Sequence, residues 1–169
     1  MISGLGRVRE ATGDLAGAAE AHARCLEIYR ELDIRRGEAY ALVELGRAQN
    51  AAEQYPEALG GLTRALEMYR ELGYPQHVAW THNYYAAALA GTGRHAEAFE
   101  HFQQALAQSR ELDKPDDEAL ALEGLGGCHV AEGDTETGTD YLRQALAIFE
   151  RIGRVGDARR VRSRLDGLS

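Results

Sequence analysis

The chain has 169 residues, 44% of them apolar and 27% charged. That composition suits one sizeable core or a run of small repeats and excludes a disordered chain. A net charge of −8 argues against a general nucleic-acid binder, because neutralising phosphates needs a concentrated basic face.

The chain opens partway into a helical pattern. Ile2, Leu5, Gly6 and Val8 are followed by Ala18, Cys25, Leu26 and Tyr29 at helical spacing. Residues 1–32 read as an incomplete first unit, and the start suggests a piece of something longer. From there the text recurs in steps of forty. EAYALVELG at 38–46 returns as EALALEGLG at 118–126, and VAWTHNYYA at 78–86 keeps the spacing with different chemistry. Leu26, Leu66, Leu106 and Leu146 hold one recurring place. Leu5-Gly6, Leu45-Gly46, Tyr85-Ala86 and Leu125-Gly126 hold another.

Units are expected at 39–72, 79–112 and 119–152. Each predicts two helices, with a break such as Glu53-Gln54-Tyr55-Pro56 between them. Proline is tolerated at a helix start because the N–H it lacks would be unpaired there. Small residues mark the places where two helices come close: Gly46 against Ala58, Ala86 against Ala98, Gly126 against Gly138. A last helix over 157–168, with Val161 and Leu165 inward, reads as a cap or the start of a fifth unit. One hairpin cannot cover its own apolar faces, so neighbours must stack on it. The expected fold is all-α: a right-handed superhelical solenoid of stacked antiparallel helix pairs, forming one array over 1–169.

Other chemistry is poorly represented. No stretch approaches the apolar length of a membrane helix, and the opening residues lack the layout of a secretory signal. Cys25 and Cys128 are too few and too distant for a disulfide framework. A cytoplasmic chain without membrane contact is expected. His77 and His82 are five apart, which is not one helical face, and the other histidines scatter over different helices. No metal, no cofactor and no catalytic constellation are therefore expected. Arg159, Arg160, Arg162 and Arg164 form a basic run, read as a solvated helix face before a nucleic-acid contact.

The large–Leu–Gly and small–aromatic–small spacings resemble the tetratricopeptide repeat, a helical hairpin of 34 residues. They fall on Leu42, Leu45, Gly46, Ala58, Leu62 and Ala65, then on Tyr85, Ala98, Phe102 and Ala105, then on Leu122, Leu125, Gly126, Leu142 and Ala145. The forty-residue variety is similar to repeats of actinobacterial and other bacterial signalling and transcription regulators. That resemblance implies an interaction module within a larger regulatory protein, not an enzyme. It also implies an inward surface built mainly by the first helix of each pair. Carried over by position, that surface offers Arg7, Tyr40, Glu44, Arg47, Asn50, Trp80, Asn83, Tyr84 and Glu123 as candidate groove residues.

The atypical middle copy brings in the only tryptophan, two tyrosines and an asparagine. Aromatic residues of this kind dominate binding surfaces. Two placements compete for Trp80, the groove or the joint beside Pro75 and His77. Tyr84 and Asn83 are expected to face the groove, and Tyr85 the core. The family's lysine-rich carboxylate clamp is not carried over, since only Arg47 supplies a cation at the matching places. The leading expectation is a protein or peptide ligand in the concave groove. The alternative is a scaffold that self-associates through its ends near Ile2, Leu5 and Val8.

Overall fold

The computed structural model describes residues 14–168. Among them the chain forms eight helices. They are α1 (Leu15–Glu31), α2 (Arg35–Ala51), α3 (Tyr55–Leu72), α4 (Pro75–Gly91), α5 (His95–Glu111), α6 (Pro115–Ala131), α7 (Thr135–Arg151) and α8 (Val155–Asp166). Each begins twenty residues after the one before, so the forty-residue phrase contains two equal steps.

The turns explain that regularity. Every connection passes through one residue of positive φ, at Asp33, Glu53, Gly73, Gly93, Asp113, Gly133 and Gly153. Glycine holds this left-handed conformation at no steric cost, whereas a residue with a Cβ is strained there. Glu53, at φ 59, carries that strain without the local hydrogen bonding that eases it for aspartate. Glu53→Gly should therefore raise stability by about 0.5–1 kcal/mol in thermal unfolding, with Glu53→Ala showing no such gain.

Helix starts are marked in two ways. Asp14 and Asp134 cap α1 and α7, their carboxylates accepting from the Gly17 and Thr137 backbone N–H groups at 2.9 and 3.1 Å. Pro75 and Pro115 open α4 and α6, and Pro56 stands in the first turn of α3.

Consecutive helices pack against each other along the whole order. In addition α2 touches α4 and α4 touches α6, so the first helices of successive hairpins stand side by side as one wall. The result is an all-α solenoid of stacked antiparallel helix pairs. Its core follows the helical spacing of the sequence. Leu42, Leu62, Leu66 and Tyr69 are buried in the α2–α3 hairpin, and Leu122, Leu142 and Phe149 in the α6–α7 hairpin. Each such leucine contributes about 2 kcal/mol of apolar burial.

Tyr85 is half-buried rather than sealed in the core. Its ring packs at the boundary between the α2–α3 and α5–α6 clusters. Small-residue contacts decide how closely pairs approach. At Gly126 the nearest neighbour of a notional Cβ is the Gly138 carbonyl oxygen at 2.9 Å, so α6 and α7 meet backbone to backbone. At Gly46 the neighbour is the Leu62 side chain at 2.6 Å rather than Ala58.

α8 repeats the register of α2, α4 and α6. Ala158 and Val161 bury against α7, with Leu165 half-buried beside them. This placement turns one face of α8 toward the wall formed by the first helices.

Candidate functional site

The inner wall encloses a cavity of about 690 Å³. α2 supplies Arg47, Asn50 and Ala51 to it, and α4 supplies Asn83, Tyr84, Ala87, Ala90 and Gly91. Leu120, Glu123, Gly124, Gly127 and Cys128 come from α6. Arg154, at the N-cap of α8, and Asp157, Arg160 and Arg164 within it close the far end. The floor is deep because glycines lie under aromatic rings. A Cβ at Gly124 would sit 2.2 Å from the Phe102 ring, and one at Gly91 would sit 2.3 Å from the Tyr55 ring. Both rings line the cavity.

Two asparagines strap neighbouring first helices together. The Asn50 amide donates to the Tyr84 carbonyl at 2.8 Å, and the Asn83 amide donates to the Asp117 carbonyl at 2.9 Å. With the nitrogen so committed, each side-chain oxygen is fixed as an acceptor. Both oxygens are buried without a donor from the described residues, and both asparagines line the cavity. A buried unsatisfied acceptor costs about 1–3 kcal/mol, and both oxygens are closed to solvent within the wall between first helices.

Five of the candidate groove residues thus meet at one cavity: Arg47, Asn50, Asn83, Tyr84 and Glu123. Several differ from expectation in exposure. Asn83 is only 3% exposed, because position 83 points into the α4–α6 interface, where its amide holds the Asp117 carbonyl. Glu44 is equally buried and lies beneath Arg47, whose guanidinium donates to it at 2.8 Å. Glu44 therefore supports Arg47 and does not itself line the cavity.

Tyr40 and Trp80 also lie outside the cavity lining. They stack on each other, with ring centroids 5.7 Å apart. Trp80 further meets the edges of His77 at 6.2 Å and Tyr84 at 5.8 Å. Its place is the aromatic column that joins the α2 and α4 faces and buttresses Tyr84. Arg7 lies outside the described residues.

Glu123 carries the densest contacts. Arg160 grips it bidentately, Nε to Oε1 at 3.0 Å and Nη2 to Oε2 at 2.7 Å, while Arg164 Nη1 reaches Oε1 at 3.2 Å. Asp157 accepts from Arg160 at 2.6 Å and from Arg154 at 2.8 Å, and Arg154 also donates to Asp116 at 2.8 Å. Arg162 pairs with Glu150 on the outside. The C-terminal arginines are thus largely committed to carboxylates of the same chain rather than spread as a basic face.

Burial sets the protonation of the groove. It pushes the Tyr84 hydroxyl up to about 12 and the Cys128 thiol up to about 11, so both stay neutral. Asp117 rises to about 6, chiefly through burial and then through the Asp116 charge beside it. Among the described residues no group of three or more His, Cys, Asp or Glu could hold a metal ion. None of the described helices is long and apolar enough to cross a membrane.

Sequence reasoning passed over the α8 arginines as cavity residues. The signal lay in the forty-residue step: Arg160 occupies the place of Tyr40, Trp80 and Leu120, and Arg164 that of Glu44, Tyr84 and Gly124.

Comparison with known proteins decides the family. The tetratricopeptide repeat pattern matches residues 1–71 and 77–151. The chain belongs to the tetratricopeptide repeat family. Proteins of this repeat fold generally act as protein–protein interaction modules. No curated protein matches it in sequence.

Solved structures share the array's architecture at low identity, which shows the fold alone. A Rap protein complexed with Competence and Sporulation Factor superposes with a TM-score of 0.80 at 18% identity, over 96% of this chain and 51% of that one. The array thus spans about half of that relative. A putative kinesin light chain with TPR-like repeats from Podosopora anserina gives a TM-score of 0.70 at 16% identity, over 99% and 92%. A Signal Transduction ATPase with Numerous Domains from Pyrococcus horikoshii, with a tetratricopeptide repeat sensor, gives 0.66 at 18% identity, over 95% and 25%.

Proposed function

We propose that this array binds an extended peptide segment of a protein partner in its concave groove, as the sensing part of a larger regulatory protein. The observation that carries this reading is the cavity of about 690 Å³ that the inward helices α2, α4, α6 and α8 line together. Ala87, Ala90, Gly91, Gly124 and Gly127 in its lining leave room for the side chains of an extended segment. The Rap complex and the sensor of the signal-transduction ATPase support the regulatory setting by analogy of fold.

The test is to fill the groove. Random dodecapeptides displayed on phage, with their C-termini fused to the coat protein, are selected on the intact chain. Ala87→Arg, on the cavity wall, should weaken the recovered peptides at least tenfold, while the exposed Gln104→Arg on α5 leaves them unchanged. Circular dichroism establishes that both variants are folded. Peptides indifferent to Ala87→Arg would place the contact elsewhere and end this reading.

A further inference from the structure

The two walls of the groove differ in what they still have to offer a ligand. On the α8 side the carboxylates are saturated. Glu123 is 7% exposed and spends both oxygens on three N–H donors, and Asp157 spends both of its own on Arg154 and Arg160. The guanidinium of Arg164 is not saturated. It has five N–H donors, of which one meets Glu123.

Its head lies over Gly127, with Nη2 only 2.8 Å from where a Cβ would be. A Cβ there would make that head shift, and the side chain is 42% exposed. Arg47, Arg154, Arg160 and Arg164 line the cavity against Glu123 and Asp157. Glu44 answers Arg47, Asp116 and Asp157 answer Arg154, and Glu123 and Asp157 answer Arg160, so the cationic donors left over in the groove belong to Arg164. A carboxylate would answer those remaining Arg164 donors, which a basic or neutral segment leaves to water.

We propose that the groove selects an acidic peptide segment, with one Asp or Glu side chain seated on Arg164 at the α8 end. This rests on the groove-binding reading above and adds the partner's chemistry and the residue that reads it. A carboxylate on Arg164 can accept two parallel N–H bonds, a geometry that lysine cannot copy. Arg160, held at Glu123 and Asp157, fixes the carboxylate beneath Arg164 and so positions it.

The same displayed dodecapeptides supply the probe, since fusion at the C-terminus removes any terminal carboxylate. Among peptides that Ala87→Arg abolishes, one position should be enriched in Asp or Glu. Changing that residue to Asn or Gln in the synthetic, C-terminally amidated peptide should weaken binding about tenfold, and Arg164→Ala should do the same. Combining the two changes should cost no more than either alone, as for two groups in direct contact. Arg164→Lys should recover only part of the loss, and Arg164→Gln serves as a second neutral variant if the alanine change loosens α8. Thermal unfolding of each variant reports the state of that helix.

Groove-dependent peptides with a neutral or basic consensus would overturn the proposal and leave groove binding standing. So would an acidic position whose loss is additive with Arg164→Ala. Peptides that ignore Ala87→Arg would overturn groove binding itself, and recovery of none at all would overturn both.

Discussion

Gly138→Ala should lower the unfolding free energy by about 2–3 kcal/mol, measured by equilibrium chemical denaturation. The added Cβ would lie 2.5 Å from Val130 Cγ2, 2.8 Å from the Gly126 carbonyl oxygen and 3.1 Å from the Val130 nitrogen. A side chain can rotate away, but two of these three atoms belong to the facing backbone. Relief requires α6 and α7 to separate, which opens the packing around Leu122, Leu142 and Ala145. Alanine's better helix propensity returns about 1 kcal/mol, so the steric cost must exceed that. Gly60→Ala supplies the control. It is exposed in α3 with nothing within 4 Å of its notional Cβ, and should stabilise by up to about 1 kcal/mol. Opposite signs for the same chemical change would identify the α6–α7 contact as the cause, and a stabilising Gly138→Ala would refute it.

Acid should act through a histidine pair of which His82 is buried. His82 on α4 and His101 on α5 stack with ring centroids 5.0 Å apart, and their Nδ1 atoms approach to 2.9 Å. Arg70 lies 3.4 Å from His82 Nε2 and donates there. His82 thus carries its proton on Nδ1 and gives it to the Nδ1 lone pair of His101. Burial, then His101 and Arg70, hold His82 at about 4, and His101 is also lowered, by burial first. Glu97 and Glu100 pull His101 the other way, and Arg94 adds to the lowering.

The sign follows from linkage. Between about pH 6.5 and 4 the unfolded chain takes a proton at His82 that the folded chain refuses, so stability falls as pH falls through that window, by about 3 kcal/mol in all. Asp117 works against it. Its folded value of about 6 exceeds the usual 3.8, so the folded chain holds a proton that the unfolded chain releases, and stability falls as pH rises from 3.8 to 6. The two slopes mask each other. Asp117→Asn should expose the histidine term as a fall of about 3 kcal/mol from pH 7 to pH 4, steeper than in the unaltered chain. At pH 8 the same variant should be the more stable by about 1–2 kcal/mol, since a buried charge is gone while the backbone carbonyl that Asn83 uses remains. A variant with the same acid slope as its parent would refute the assignment, and the imidazole resonance of His82 would report it directly.

The architecture was legible because the core places repeat. Leu26, Leu66, Leu106 and Leu146, or Leu42 and Leu122, recur at the distances that a stacked hairpin needs. The site was legible only in part, for reasons visible in the same register. Asn83 stands where Val43 and Glu123 stand, and all three places are buried in the interface between first helices. A polar residue there reads as exposed until its neighbours' places are compared. His82 fills the slot of Leu42 and Leu122, which marks it as an interior histidine, yet its partner lies across the hairpin. The contact of His82 with His101 depends on helix rotation, which the apolar pattern leaves loose by a residue or more. The carboxylate at Glu123 was named, but its saturation required knowing that α8 continues the inner wall, beyond the last full copy of the phrase.

The equal spacing of the turns has a consequence for how such a chain can lengthen. Alternate helices face inward, and each start lies twenty residues after the last. A duplication of forty residues would extend the channel with its lining preserved. One of twenty would leave every bend well formed and still exchange the inside for the outside in everything downstream. The geometry of the bends is blind to that parity, so only the side chains keep it. Growth of the array by odd half-steps should therefore yield chains that fold locally and bind nothing.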